Sequence, residues 1–443
     1  MVARTRSVRI AGRDRMWIGA HSVFVFGPLH VPEVDAVRAA LRELAGAVPD
    51  HRLFHRPDHN YRRWRSVTGA EIDNHCERMV TMLGDTVDNS DLEWILEQQY
   101  AAYEDDVPFR FALGSDTVAL SLAHPLGDAR LAIEAGSELL SAAVEQRAPT
   151  GLHEPSVRMP LARALGDYYG RKPRRIRATL RTPRTPPPGP VPGTRPHPWQ
   201  PEFAVASGVI PKSALADMRR WRVRNAPGVT RTLVVFAAAR AAVEATGMRP
   251  ASAGFYTVVD NRKFLPTGGH LDGNFTIGIY LEPADSRDPS AISAALEAAT
   301  ANGRPLATMS LLTGFAQIGR IAALTDHALF PAHPSLVLNH LGRLRGFEKL
   351  PWRNGGADAR YLSATTQRQP DFLTFQFAEM LGGVHVTATF HASTFDRTLV
   401  RTAVDTLCAD PVGLLEGSRP LETGVETGVE TGVENSDARE TTR

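Results

Sequence analysis

The stretch Ser121-Leu122-Ala123-His124-Pro125-Leu126-Gly127-Asp128-Ala129-Arg130 is the part of this sequence best suited to chemistry. It places a histidine at the end of an apolar run, followed by a tight loop bearing Pro125 and Gly127. Such a histidine projects into whatever cleft lies beyond the strand. An imidazole titrates near pH 6.5, so it can take a proton from a hydroxyl or an amine at neutral pH. Asp128, four residues on, can fold back to hold the loop or pair with an arginine. By spacing alone, HxxxD more often means a strand-end histidine and a turn aspartate.

Other groupings of chemical interest are weaker. His51, His55 and His59 recur every four residues and would line one face of a helix, where they could ligate a metal. Pro57 breaks that helix, so a polar loop with incidental histidines is expected and no metal site is assigned. His385 and His391 are six apart on a strand, hence on one face, and read as packing residues. No GxGxxG, Walker A or GxSxG string occurs, which leaves dinucleotide binding, P-loop chemistry and the hydrolase nucleophile elbow unsupported. Cys76 and Cys408 make neither a disulfide framework nor a zinc spacing. Trp64, Trp94, Trp199, Trp221 and Trp352 show no stacking period and are expected in a core or between lobes.

The elements that must position His124 are legible from periodicity. Phe109 to Leu113 and Thr117 to Ala123 read as paired strands around a Gly114-Ser115-Asp116 turn, and Leu131 to Ala143 reads as the helix that follows. An apolar strand from His21 to Leu29 precedes an amphipathic helix on Val34, Val37, Leu41, Leu44 and Val48, with Asp91 to Tyr103 as a further helix. Beyond residue 199, strands are expected at Phe203–Val209, Ala253–Asp260, Phe275–Leu281, Ser335–Asn339, Thr374–Glu379 and Val384–Phe390. Helices are expected at Ser213–Trp221, Thr230–Ala245, Pro289–Ala301, Pro305–Ile318 and Phe395–Leu407. The Thr230–Ala245 helix is apolar nearly all round and should be buried. Strands and helices interleave in both halves, so the class is α/β or α+β with two sheet-plus-helix lobes.

Composition supports a folded chain. There are 50 basic and 48 acidic side chains in 443 residues, too balanced for a disordered or nucleic-acid-binding protein. Only Lys172, Lys212, Lys263 and Lys349 are lysines; this arginine skew fits a GC-rich genome better than phosphate binding. Eight prolines in the 17 positions from Thr182 to Pro198 cannot build a helix or a ladder and are expected to form an extended linker. The basic run Arg171 to Arg175 before it reads as a solvated face, and could otherwise dock an acidic partner. Glu422-Thr423-Gly424-Val425 repeats at 426–429 and 430–433, which has no packing logic. The expected division is therefore residues 1–180 as an N-terminal lobe, 181–198 as linker, 199–416 as a C-terminal lobe and 417–443 as a disordered repeat tail. With no uninterrupted apolar stretch of 18 residues and no signal peptide, no membrane span is expected and a cytoplasmic location is the default.

Four stretches, in order, resemble the condensation-domain and chloramphenicol-acetyltransferase-like superfamily. The helix from Val34 to Asp50 resembles its opening helix. Pro108-Phe109-Arg110-Phe111 leading to Ala123-His124-Pro125-Leu126-Gly127-Asp128-Ala129 is similar to its HHxxxDG motif. Val258 to Pro266, then Gly273-Asn274-Phe275, looks like its valine–x–x–arginine and glycine–asparagine–phenylalanine segment. Asn339-His340-Leu341-Gly342-Arg343 resembles the asparagine–x–glycine–arginine segment of free-standing, polyketide-associated-acyltransferase-like members. The resemblance spans about residues 30 to 408.

The resemblance implies two lobes, each a mixed sheet with helices, and an active-site channel between them. It implies a thioester-dependent acyltransferase of secondary metabolism, forming an ester or an amide on a hydroxyl or amine of a small-molecule acceptor, a secondary metabolite or a lipid. His124 matches the general base, Asp128 the structural aspartate and Arg262 its ion-pair partner; Asn339 and Ala129 become substrate-channel residues. The co-substrate would be an acyl-CoA or an acyl-phosphopantetheine on a carrier protein, with no permanently bound cofactor. Two departures stand out: Ala123 replaces the first histidine and Ala129 the final glycine. The second puts a methyl group against the channel and motivates an alternative: an inactive condensation-like scaffold that docks a carrier protein or holds substrate. A remoter option is the same cleft used for another reaction, such as cyclisation.

Overall fold

The computed structural model describes residues 7–84, 91–152, 157–170, 172–181, 189–266, 270–271, 273–319 and 325–417. Its strands are β1 (Ser7–Arg9), β2 (His21–Gly27), β3 (His55–Pro57), β4 (Arg63–Ser66), β5 (Val80–Met82), β6 (Phe109–Leu113), β7 (Val118–Ala123), β8 (Arg195–Pro198), β9 (Phe203–Ile210), β10 (Phe255–Asp260), β11 (Thr276–Leu281), β12 (His327–Phe330), β13 (Ser335–Arg343), β14 (Arg360–Thr365), β15 (Phe372–Met380) and β16 (Gly383–His391). Helices α1 (Gly12–Arg15), α2 (Val34–Ala47), α3 (Glu71–Met79), α4 (Leu92–Ala101), α5 (Ala129–Glu145), α6 (Pro160–Leu165) and α7 (Arg174–Arg181) lie in the first part. The second part holds α8 (Lys212–Asn225), α9 (Arg231–Ala245), α10 (Pro289–Ala301), α11 (Arg304–Gln317), α12 (Arg397–Ala409) and α13 (Pro411–Gly417).

Two larger sheets organise the chain. The five-stranded sheet runs β14-β2-β7-β6-β5, antiparallel except for the β5–β6 pair. β7 is central, and all six of its residues are buried because both faces are covered. Leu120 and Leu122 face a core with Val37, Leu41 and Leu44 of α2 and Leu131, Ala135 and Leu139 of α5. Ala119 points the other way, to Leu92, Ile95 and Leu96 of α4. The period-2 alternation of a strand thus serves two apolar layers, which is why β7 reads as a continuous apolar run.

The six-stranded sheet runs β11-β10-β13-β15-β16-β9, with β10–β13 and β13–β15 parallel and the other pairs antiparallel. α9 packs against it, and Leu233 to Val243 are buried along its length, as an all-round apolar helix requires. Arg240 is buried among them because Glu244 and the Ser252 carbonyl take its donors, at 2.7 and 2.8 Å.

The two sheets do not follow the two halves of the chain. β14, from the C-terminal part, pairs with β2 and closes the N-terminal sheet. Ala164 and Tyr168, from before the proline-rich stretch, pack into the C-terminal core. α4 reaches across to β9, where Glu97 accepts from the Val205 amide (2.9 Å) and Glu93 from the Ser207 amide (2.8 Å).

Two expectations are corrected. Within the proline-rich stretch, Arg195–Pro198 forms β8 and pairs antiparallel with β12. Pro196 and Pro198 alternate with His197, so the missing donors fall on one edge of a two-stranded sheet, where proline is tolerated. Residues 182–188 of the expected linker and 418–443 of the expected tail lie outside the described residues. Trp94, expected in a core or between lobes, is 43% exposed, whereas Trp64, Trp199, Trp221 and Trp352 are buried.

Candidate active site

His124 continues β7 by one residue. Its amide donates to the Ala20 carbonyl at 2.9 Å, extending the ladder that pairs Ala123 with His21. The chain then turns through Pro125 and Gly127 into α5, which starts at Ala129 rather than Leu131 because Asp128 caps it, accepting from the Arg130 amide at 3.2 Å. The imidazole lies flat on Trp17, with ring centroids 3.9 Å apart and planes 3° from parallel. Its Nδ1 is buried and has no hydrogen-bond partner among the described residues. Burial pulls the pKa of His124 below the ordinary histidine value, against the opposing pull of its own main-chain carbonyl and the charge of Asp128. At neutral pH the ring is therefore uncharged, the form that accepts a proton.

Two buried carboxylates hold the His124 loop. Asp128 meets Arg262 bidentately, Nη1 to Oδ2 at 2.9 Å and Nη2 to Oδ1 at 3.2 Å, with both side chains under 10% exposed. Arg262 also donates to the carbonyls of Leu271 (3.2 Å) and Gly273 (2.8 Å), and the Phe275 amide donates to Asp128 at 3.3 Å. Gly273 has φ +92°, a backbone conformation that favours glycine, and the Arg52 guanidinium lies in the space a Cβ would take.

The second carboxylate is Asp14 of α1, 3% exposed. Its Oδ1 accepts the main-chain amide (3.1 Å) and side-chain Nδ2 (3.2 Å) of Asn274, and its Oδ2 accepts from Arg52 at 3.3 Å. The same Nδ2 of Asn274 donates its other hydrogen to the His124 carbonyl at 2.7 Å. One short helix and the turn after it thus reach His124 twice, through Trp17 on its ring and through Asp14 and Asn274 on its main chain.

His124 opens onto a cavity of about 640 Å³ between the two sheets. Asp128, Ala129, Arg262 and Asn339 line the same cavity, so all five residues singled out in the sequence converge. Ala129, which the resemblance makes a channel residue, is the first residue of α5 and lines this space. Phe24, Val258, Ile277 and Phe372 supply apolar wall, while Ser22, hydrogen-bonded to Thr365 at 3.0 Å, and Gln376 supply polar contacts. Sequence reasoning missed Trp17, Asp14 and His340. His340 also lines the cavity; its Nδ1 accepts from the Gly342 amide at 3.0 Å and its Nε2 faces Glu379 at 3.5 Å.

The other histidines singled out in the sequence do not line this cavity. His51 accepts from the Leu53 amide, His55 meets the His51 carbonyl at 3.0 Å, and His59 is exposed beside Asn60. His385 accepts from the Tyr361 amide at 3.2 Å and ties β14 to β16. Among the described residues no group of three or more His, Cys, Asp or Glu could hold a metal ion, and no helix is long and apolar enough to cross a membrane.

No family model and no curated sequence matches the chain. Solved structures do. A trichothecene 15-O-acetyltransferase from Fusarium sporotrichioides is similar with a TM-score of 0.60 at 11% identity, over 91% of this chain and 95% of that one. The first condensation domain of the CDA synthetase is similar with a TM-score of 0.57 at 14% identity, over 93% and 98%. This chain has the condensation-domain fold. The epimerization domain from the third module of tyrocidine synthetase B shares that fold with a TM-score of 0.57 at 11% identity, over 93% and 97%. At these identities the condensation-domain likeness is one of architecture, and the same architecture carries more than one chemistry.

Proposed function

We propose that the chain is an acyltransferase that moves an acyl group from a CoA or carrier-protein thioester to a hydroxyl or amine of a small secondary metabolite or lipid. The observation that carries this reading is a histidine buried at a cavity wall, whose ring and main chain are both fixed. His124 takes the acceptor proton as the acceptor oxygen or nitrogen attacks the thioester carbonyl. The tetrahedral oxyanion collapses, the carbon–sulfur bond breaks, and the proton on His124 passes to the departing thiolate. Asp128, Arg262, Asp14 and Asn274 act on the loop rather than on substrate. Ala129 and Asn339 meet substrate at the cavity wall. The volume, about 640 Å³, suits a small molecule together with an acyl chain.

The test uses purified protein with a panel of acyl-CoAs, acyl carrier proteins and hydroxyl or amine acceptors, read by mass spectrometry. Gly278 lines the cavity with open space where a Cβ would go. Product should form with the wild type and vanish in Gly278→Phe, which adds a ring at the cavity wall and leaves the His124 loop unaltered in sequence. Product formed equally by the blocked variant would place the chemistry elsewhere.

A second reading, a substrate-holding or carrier-docking scaffold without turnover, draws on the small exposure of His124 (7%) and the Ala129 methyl. It predicts ligand binding that Gly278→Phe abolishes, with no product from any donor.

A further inference from the structure

A second concave surface lies one short helix away from His124. It has a volume of about 560 Å³ and is lined by Arg9, Arg15, Arg62 and Arg63, with Gln317 and Gly319 from the end of α11. Among the described residues no carboxylate lines it. Nor does any of these four arginines form an ion pair among the described residues. Asp58, just before β4, uses its Oδ1 on the main-chain amides of Arg62 (2.7 Å) and Arg63 (3.1 Å) and not on their guanidinium groups.

The strand register concentrates the charge. β1 and β4 pair antiparallel with Arg9 directly opposite Arg63. Like charges facing each other across a ladder are destabilising. Arg65, two residues on, presents a further exposed guanidinium on the same face of β4. The neutral partners of these groups are few: Arg9 reaches Gln317 at 3.2 Å, and Arg63 reaches the Ser7 hydroxyl and carbonyl at 2.7 and 2.8 Å. Arg15 touches only the Gln317 carbonyl, at 3.4 Å, and its Nε is buried with no partner among the described residues. A fold that keeps four guanidinium groups around one hollow, with no counter-charge among the described residues, has left a place for an anion.

We propose that this hollow binds the phosphate groups of a phosphorylated ligand and, resting on the acyl-transfer reading above, that this ligand is the nucleotide end of an acyl-CoA. Guanidinium groups match phosphate oxygens in charge and in fork geometry. A phosphomonoester carries about −1.5 to −2 at neutral pH. The 3′-phosphate and diphosphate of CoA together therefore approach the four positive charges of the lining. A carrier-bound pantetheine offers a single phosphodiester charge, too little to balance them. The hollow also adjoins the reaction cavity: Arg15 lines one and Trp17, two residues later, lines the other and stacks on His124. α1 is the wall between the nucleotide and the thioester ends of the donor.

Calorimetric titration of the full chain tests this with CoA, 3′-dephospho-CoA, pantetheine and inorganic pyrophosphate. Affinity should fall in the order CoA, 3′-dephospho-CoA, pantetheine. It should weaken as salt rises from about 0.05 to 0.5 M, since Arg9, Arg62 and Arg63 are exposed. The double variant Arg62→Ala/Arg63→Ala should bind CoA and pyrophosphate roughly tenfold or more weakly, with pantetheine binding and the melting temperature unchanged. CoA binding equal in variant and wild type overturns the proposal. So does binding of a single-stranded oligonucleotide or of anionic vesicles by a protein that ignores CoA. If CoA and pyrophosphate binding weaken as expected but no donor in the panel is turned over, the anion site stands and the acyl-transfer reading fails.

Discussion

Asp128 and Asp14 hold the same loop from opposite sides, and they do it differently. Asp128 is four residues from His124 in sequence, caps the helix that follows it, and meets one arginine face-on in a dry setting. Asp14 comes from the far end of the chain's first segment and acts at one remove, through the Asn274 amide that holds the His124 carbonyl. Its arginine partners are wetter: Arg52 is 20% exposed at 3.3 Å and Arg13 is 13% exposed at 3.7 Å. The local anchor fixes where the loop runs; the remote one fixes how the histidine main chain is turned within it. The difference teaches that one buried histidine can be held by two networks of unequal strength, only one of which sits in its motif.

The comparison breaks first at Asp128. Asp128→Asn leaves the buried Arg262 with the half-exposed Asp260, at 3.4 Å, as its remaining counter-charge, and should cost on the order of 3 kcal/mol. A displaced loop should also lower kcat by roughly 10²-fold, the usual penalty for a misplacement near 1 Å. Chemical denaturation and steady-state rates check both. Unchanged stability would show that the Asp128–Arg262 pair is not what locks the loop.

Asp14→Asn should matter less. Its amide oxygen can still accept from Asn274, and Arg52 is 20% exposed, so about 1–3 kcal/mol of stability is expected to go. The kcat loss should be near tenfold, with KM unchanged, because the change alters the aim of His124 and not the cavity. The two variants should also couple: since both anchors act on one residue, a double-mutant cycle should depart from additivity by more than about 0.5 kcal/mol. Strict additivity would separate the two networks.

Acid separates anchoring from chemistry. Burial, with Arg56 adding to it at His75 and Arg360 at His385, pushes both histidines down to about 4. Their unfolded forms titrate near 6.5. The stability they contribute is complete above pH 6.5 and is lost as pH falls from 6.5 toward 4, by up to about 1.4 kcal/mol per unit for each histidine. Melting temperatures measured across that window should fall, and His385→Gln should flatten the fall. His124 is lowered as well, so the acid limb of kcat/KM should lie below the ordinary histidine value. An acid limb at or above 6.5 would contradict the environment described for it.

The smallest effect is expected at Ala129. Ala129→Gly removes a methyl from the cavity wall at the cost of at most about 1 kcal/mol of helix propensity. It should lower KM for bulky substrates a few-fold and leave kcat unchanged. A large gain in kcat would mean that the methyl obstructs the reaction itself.

The sequence makes the local anchor visible and hides the remote one, for a physical reason. β7, the turn before it and α5 follow from short-range periodicity, so the His124–Asp128 segment can be placed from the residues alone. α2, α9 and α10 are legible for the same reason. β8 is not, because two prolines look like a linker until a partner strand shows that their missing donors face outward. β14 is not, because nothing in Arg360–Thr365 announces that it will pair with β2, more than 330 positions away. Asp14 stands in a four-residue helix and Trp17 in the turn after it, too short a stretch for any period, and their meaning comes only from what the fold lays against them. Asn274 is in plain view in the Gly273-Asn274-Phe275 string, but its bonds to Asp14 and to the His124 carbonyl are long-range.

The measurement that bears most directly on the central claim is the acyl-transfer rate of His124→Ala beside the wild type. Both proteins would be given the same donor and acceptor, and melting curves would confirm that both are folded. Loss of a positioned general base should slow transfer by about 10²–10⁴-fold while donor affinity holds. A folded His124→Ala protein that turns over at the native rate would contradict the account.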